Sequence, residues 1–267
     1  MPTSSSSVCS GMAQPTSRTI CSSSMARNAC VVSPKHSVLR LTIATRSPTS
    51  KTVLAMLHYE TVTPYLHNTL MQLMSDSMFD TFRLVGGTSL SLRLGHRMSI
   101  DIDLFSNAEY GDLDFHSIQS HLRAMFPYCE GDCGAIPGMG STWIVGNSRS
   151  DAVKLDLFYT DEFIGEVVVE DGIRMASIDD IVAMKLDVVA RGGRKKDFWD
   201  LHELSTRYSV ADMLELYEKR YPYGHSREEV LHGFINFDKA DAEPDPMCLL
   251  QKDWDIIKSD LTSFFVS

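Results

Sequence analysis

Asp101 and Asp103 stand two residues apart in IDIDLF (100–105), and Asp156 stands in VKLDLFY (153–159). In an extended strand alternate side chains share a face, so Asp101 and Asp103 point one way while Ile102 and Leu104 point into a core. The same alternation puts Lys154 with Asp156, and Val153, Leu155 and Leu157 on the opposite face. If the two strands pair, three carboxylates converge. Like charges near 4 Å repel by about 4 kcal/mol per pair at an effective dielectric near 20. Such a trio needs raised proton affinity or a cation. Mg2+ (or Mn2+) suits it, because a hard cation prefers oxygen ligands and keeps positions for phosphate oxygens. Three separate strand-end acids on a wetted face is the plainer alternative.

Upstream, RLVGG (83–87) reads as a short strand entering a turn, and SLSLRLG (89–95) as a helix of about two turns closed by Gly95. At Gly86 and Gly87 the missing side chains let backbone approach a phosphate, and a helix N-terminus favours an anion. Thr88 or Ser89 can add a hydroxyl. Glycine pairs also make ordinary tight turns, and the spacing of a P-loop is absent. Arg93, His96 and Arg97 form a basic cluster. Arg97 and Ser99, just before the aspartates, either touch a triphosphate or belong to a surface loop. His96 lacks a second histidine at metal-ligand spacing.

Ser177-x-x-Asp180 resembles a capping box and starts a helix that runs to about Ala190. Its apolar stripe is Ile178, Ile181, Val182, Leu186 and Val189, and Lys185 falls inside it. A charge there needs a partner, a ligand or a route to water. Asp197 and Asp200, on the stripe of Leu201 and Leu204, form the same kind of exception. Lys185 or Arg191 could pair with them in a structural or a catalytic role. RGGRKKD (191–197) reads as a basic loop, and Arg191, Arg194, Lys195 and Lys196 are local candidates for RNA phosphate or simply a solvated connection.

The chain has 267 residues, 43% hydrophobic, with net charge −10. That charge argues against a broad nucleic-acid footprint. No apolar run is long enough to span a bilayer, which points to a cytoplasmic protein without a membrane partner. Six cysteines, including the pair Cys129 and Cys133, read as reduced thiols. Residues 1–55 hold four Arg, two Lys and no acid, so residues 56–267 carry −16. The Ser/Thr-rich extension is unsuited to a packed core. It reads as disordered, as a transit-type segment, or as an over-extended gene prediction with Met56 as the start. Helical spacing also marks 60–78, 112–126, 210–221, 226–237 and 247–264, and a hairpin is expected near Trp143.

Three segments, LVGGTSLSLRLGHRMSIDIDLF, VKLDLF and DDIVAMKLDVVARGGRKKDFWDLHEL, together resemble the nucleotidyltransferase AbiEii/AbiGii toxin family. That family is part of the minimal nucleotidyltransferase (DNA polymerase beta-like) superfamily. The resemblance implies an α+β fold: a small mixed nucleotidyltransferase sheet flanked by helices, with a C-terminal helical region. The division expected is 1–55 extension, 56–170 nucleotidyltransferase core and 171–267 helical domain. It further implies that Gly86, Gly87 and Thr88 hold an NTP, that Asp101 and Asp103 bind the metal, and that Asp156 is the third carboxylate, as base or ligand. Lys185 with Asp197 or Asp200 would match later motifs beside the site. A bacterial family favours the misplaced start over a transit peptide.

The activity so implied is metal-dependent transfer of NMP from NTP to an acceptor hydroxyl on tRNA or protein, by a two-metal route, in the toxin of a toxin–antitoxin system with a cognate antitoxin. A catalytically silent nucleotide- or partner-binding module of the same fold is the alternative. A phosphotransferase on a kinase plan is a third class, but the chain lacks a kinase glycine loop and an H-R-D segment.

Overall fold

The computed structural model describes residues 56–266, all within one compact unit. The expected extension 1–55, with Cys9, Cys21 and Cys30, lies outside the described residues. Helix α1 (Pro64–Met74) begins where Thr63 accepts the Leu66 amide at 3.1 Å and Pro64 supplies the first-turn φ. Strand β1 (Arg83–Leu84) then leads directly into α2 (Gly86–Leu94), which Gly95 closes at φ +67°. The glycine pair is therefore the first turn of the helix, not a loop before it.

Strand β2 (Asp101–Ser106) and helix α3 (Phe115–Met125) come next, then β3 (Tyr128–Glu130), β4 (Gly140–Ser148) and β5 (Asp151–Tyr159). The hairpin expected near Trp143 is the antiparallel β4–β5 pair, with β3 outside it. The segment EVVVE (166–170) supplies β6 (Val168–Glu170), which pairs antiparallel with β7 (Ile173–Met175) as a second hairpin. The seven strands make one mixed sheet in the order β3-β4-β5-β2-β1-β7-β6.

Helices α4 (Ile178–Ala190), α5 (Lys195–Leu204), α6 (Val210–Arg220), α7 (Arg227–Phe234), α8 (Asp238–Asp241) and α9 (Trp254–Val266) follow. Ser177 caps α4 by accepting the Asp180 amide at 3.0 Å, but Asp180 does not complete a capping box. Its buried carboxylate takes the Ile164 amide at 2.7 Å and pairs with buried Arg220 at 2.8 Å, tying the segment after β5 to α4 and α6. Among the described residues no helix is long and apolar enough to cross a membrane.

Strand alternation divides the core in two. Ile102, Leu104, Leu155 and Leu157 are fully buried with Leu66, Leu70 and Leu122 from α1 and α3 on one face of the sheet. The second cluster joins Leu90 of α2 to Ile181, Leu186, Phe198, Leu201 and the later helices, and Phe105 packs against it. Since Phe105 points away from Leu104, the helical layer covers the face that carries Asp101 and Asp103.

Candidate active site

Parallel pairing of β2 with β5 sets Asp103 directly opposite Asp156 and Asp101 opposite Lys154. Their common face lines a cavity of about 240 Å3. Val85, Gly86, Gly87 and Ser99 border it at the start of α2, and Lys185, Arg194, Lys196 and Asp197 come from α4 and α5. Phe105, Ile181, Met184 and Val188 supply an apolar wall. The cavity thus has a charged half beside a helix N-terminus and an apolar half.

Each glycine has a steric reason as well as an electrostatic one. Gly86 sits at φ +67°, and a Cβ there would stand 2.5 Å from Asp103 Oδ2. A Cβ on Gly87 would stand 2.2 Å from Arg97 Nη2. Val85 contributes no side-chain cap, so the first amides of α2 have neither an intrahelical acceptor nor a capping side chain. They form a ready anion site at the cavity edge.

The three acids are unequal. Asp101 Oδ2 lies 3.0 Å from Lys196 Nζ. Asp156 meets Lys154 through Oδ2 and accepts the Thr142 hydroxyl at 2.6 Å through Oδ1. Among the described residues Asp103 has no side-chain hydrogen bond or ion pair of its own. Burial, then the charges of Asp156 and Asp101, push its carboxyl up to about 6, against the pull of Lys196 and Lys185. An all-oxygen donor set containing an uncompensated carboxylate fits a hard divalent cation. Among the described residues no three His, Cys, Asp or Glu side chains stand grouped as a complete metal cage. Mg2+ does not require one, because it binds through one or two carboxylates and completes its shell with water and substrate phosphates.

Behind the cavity, Asp200 is fully buried and holds two cationic side chains and a histidine. Its carboxylate takes Arg97 Nε at 2.6 Å and Nη2 at 2.8 Å, Lys185 Nζ at 2.6 Å, and His96 Nε2 at 2.7 Å. Burial opposes its charge, but Arg97 and Lys185 overcome that and hold the carboxyl well below its usual range. Lys185 also donates to Asp197 at 2.7 Å, and Asp197 accepts the Arg194 amide at 3.0 Å. Burial pulls the Lys185 ammonium down, yet Asp197 and Asp200 leave it raised overall.

The sequence-derived residues therefore sort into three positions. Asp101, Asp103, Asp156, Gly86, Gly87, Ser99, Lys185 and Asp197 line the cavity. Thr88, Arg97 and Asp200, expected at the nucleotide or its chemistry, stand behind the lining. Thr88 bonds Ser99 at 2.8 Å and the Asp101 carbonyl, while Arg97 is taken up by Asp200. Arg93 is also away from the cavity.

The proposed basic loop is corrected. Lys195 and Lys196 open α5, and Lys195 is buried, its Nζ 2.9 Å from Asp245 and 5.2 Å from the Trp254 ring centroid. Lys196 turns to Asp101, and Arg191 pairs with Asp187. Sequence reasoning placed Lys154 beside Asp156 but assigned it no part in the site. The signal was its position two residues before Asp156 on the same strand face.

Residues 69–266 match the family described as nucleotidyl transferase AbiEii toxin, type IV TA system. An uncharacterised protein of Aquifex aeolicus is 27% identical over 162 residues, covering 57% of this chain and 72% of that protein. Among solved structures, MenT4, a nucleotidyltransferase toxin of Mycobacterium tuberculosis, is 14% identical with a TM-score of 0.49. That match covers 76% of this chain and 82% of MenT4. The JHP933 protein of Helicobacter pylori is 19% identical with a TM-score of 0.47, covering 75% and 89%. The family match spans well over half of the chain, and the protein belongs to the AbiEii nucleotidyltransferase toxin family.

Proposed function

We propose that the protein moves a nucleoside monophosphate from an NTP to an acceptor hydroxyl, with a bound divalent cation, as the toxin partner of a cognate antitoxin. The observation that carries this reading is Asp103: a half-buried, unpaired carboxylate in register with Asp156 and two residues from Asp101. Such repulsion is costly in a merely structural role, and it is what a cation site requires.

Asp101 and Asp103 would hold the cation. When bound, it would polarise phosphate oxygens and offset the charge of the leaving pyrophosphate. The amides of Gly86 and Gly87 receive the triphosphate at the start of α2. Arg194 and Lys196 at the cavity edge add positive charge there. The apolar wall of Phe105, Met184 and Val188 accepts the base and excludes water. Asp156 accepts the proton of the attacking hydroxyl, for which each of its bonded oxygens retains a lone pair. Lys185 and Asp197 tie α4 to α5 along the cavity, with Asp200, Arg97 and His96 as their buried support.

An RNA acceptor is supported by Arg194, exposed at the cavity edge, and by exposed Arg191 three residues before it, and not by Lys195. The test is incubation of the protein with each α-labelled NTP, Mg2+ or Mn2+, and total cell RNA or protein. The expected result is label on one acceptor class, lost in Asp103→Asn. Label transfer undiminished in that variant overturns the assignment. Nucleotide binding with no pyrophosphate released would instead favour a silent binding module.

A further inference from the structure

On the cavity face, β2 and β5 present four side chains in a square: Asp101 beside Lys154, and Asp103 beside Asp156. Neighbouring strands lie about 4.7–4.9 Å apart. Lys154 is thus built into the acidic patch by strand register. Its ammonium contacts Asp156 Oδ2, while Thr142 of β4 donates to Oδ1 at 2.6 Å, so each oxygen of Asp156 already has a donor. Asp101 commits one oxygen to Lys196, and Asp103 commits neither.

The formal charges follow. Three carboxylates give −3, and the ammonium groups of Lys154 and Lys196 bring the patch to −1. One divalent cation turns this to +1, enough to receive a phosphate tail. A second would raise it to +3 and would compete with Lys154 for Asp156. Two-cation sites place their ions about 3.5–4 Å apart. Here the carboxylate that would share the second ion is the one already bound by lysine and threonine.

Resting on the nucleotidyl-transfer reading above, we propose that this site takes a single divalent cation at Asp101 and Asp103, with the Lys154 ammonium standing against Asp156 in place of a second. This departs from the two-metal route expected from the sequence. Lys154 keeps Asp156 out of the cation's shell, which leaves it facing the acceptor hydroxyl.

The test counts cations on the full-length chain. Mn2+ is titrated in the presence of an NTP analogue with a methylene between the α and β phosphates. Protein-associated Mn2+ is measured by equilibrium dialysis, and spin coupling by electron paramagnetic resonance. Wild type is expected to hold one Mn2+ with an uncoupled signal. Lys154→Met is expected to hold two, with a coupled signal, and Lys154→Arg to stay at one. Matching circular dichroism spectra show that the variants are folded. Two coupled ions in wild type overturn the proposal and leave nucleotidyl transfer standing. One ion in both wild type and Lys154→Met overturns the role of Lys154. No bound ion at all removes the cation site itself, and the nucleotidyl-transfer reading with it.

Discussion

Replacing Asp103 by Asn should make the protein more stable while removing its activity. The carboxyl is pushed up to about 6 by burial and by Asp156 and Asp101, against an ordinary value of 3.8. Each tenfold gain in proton affinity corresponds to about 1.4 kcal/mol, so holding this charge in the fold costs about 3 kcal/mol at neutral pH. The amide keeps the shape and drops the charge, and no ion pair is lost. In a protein of this size each kcal/mol moves the melting temperature by roughly 2–4 °C. The gain is therefore roughly 6–12 °C without divalent cations.

The pH dependence has a fixed sign. Well below pH 3.8 the carboxyl is protonated in folded and unfolded chains alike, and the penalty is absent. As pH rises through the window from 3.8 to about 6, the unfolded chain releases its proton first, and wild type loses stability relative to Asp103→Asn. Above that window the gap is constant. Urea unfolding of both proteins from pH 4 to 8, in a chelator, measures it. A gap that is flat across this range, or that narrows as pH rises, refutes the reasoning. Adding Mg2+ or Mn2+ should stabilise wild type and not the variant.

Asp200→Asn should lose about 3–5 kcal/mol at pH 7 by urea unfolding, because it strands Arg97 and Lys185 in the interior. Asp200 is held well below its usual range, so this contribution is fully present above about pH 4 and fades as pH falls further. Gly86→Ala should lose about 1–2 kcal/mol from the left-handed backbone alone, with a further loss from crowding Asp103, read as a lower melting temperature. In RNA binding, Arg191→Ala should reduce the log–log salt slope by about 0.7 per lost phosphate contact. Lys195→Ala should leave that slope unchanged and lower stability, since its ammonium is buried against Asp245 and Trp254.

Short-range patterns were readable because they depend on period alone. IDIDLF and VKLDLFY announce their buried and polar faces, and Ile102, Leu104, Leu155 and Leu157 are all fully buried. Lys185 and Asp200 stood out as charges on apolar helix stripes, and each is buried with partners. Partner choice was not readable, because it is set across long separations. Arg97 lies next to the aspartates in sequence, yet the fold turns it toward Asp200, 103 residues away. Lys195 and Lys196 are adjacent, but a helical step of 100° sends one to Asp245 and the other to Asp101. Strand β7 was missed because IRM is too short to show alternation, and its place beside β1 comes from parallel pairing over a long chain separation.

The central claim is most directly tested with one NTP labelled separately at the α and γ phosphates, in the presence of divalent cation and cell extract. The account predicts that the acceptor carries α label only, that γ label leaves as pyrophosphate, and that Asp103→Asn does neither. Label from the γ phosphate on the acceptor, or full α transfer by the variant, would contradict it.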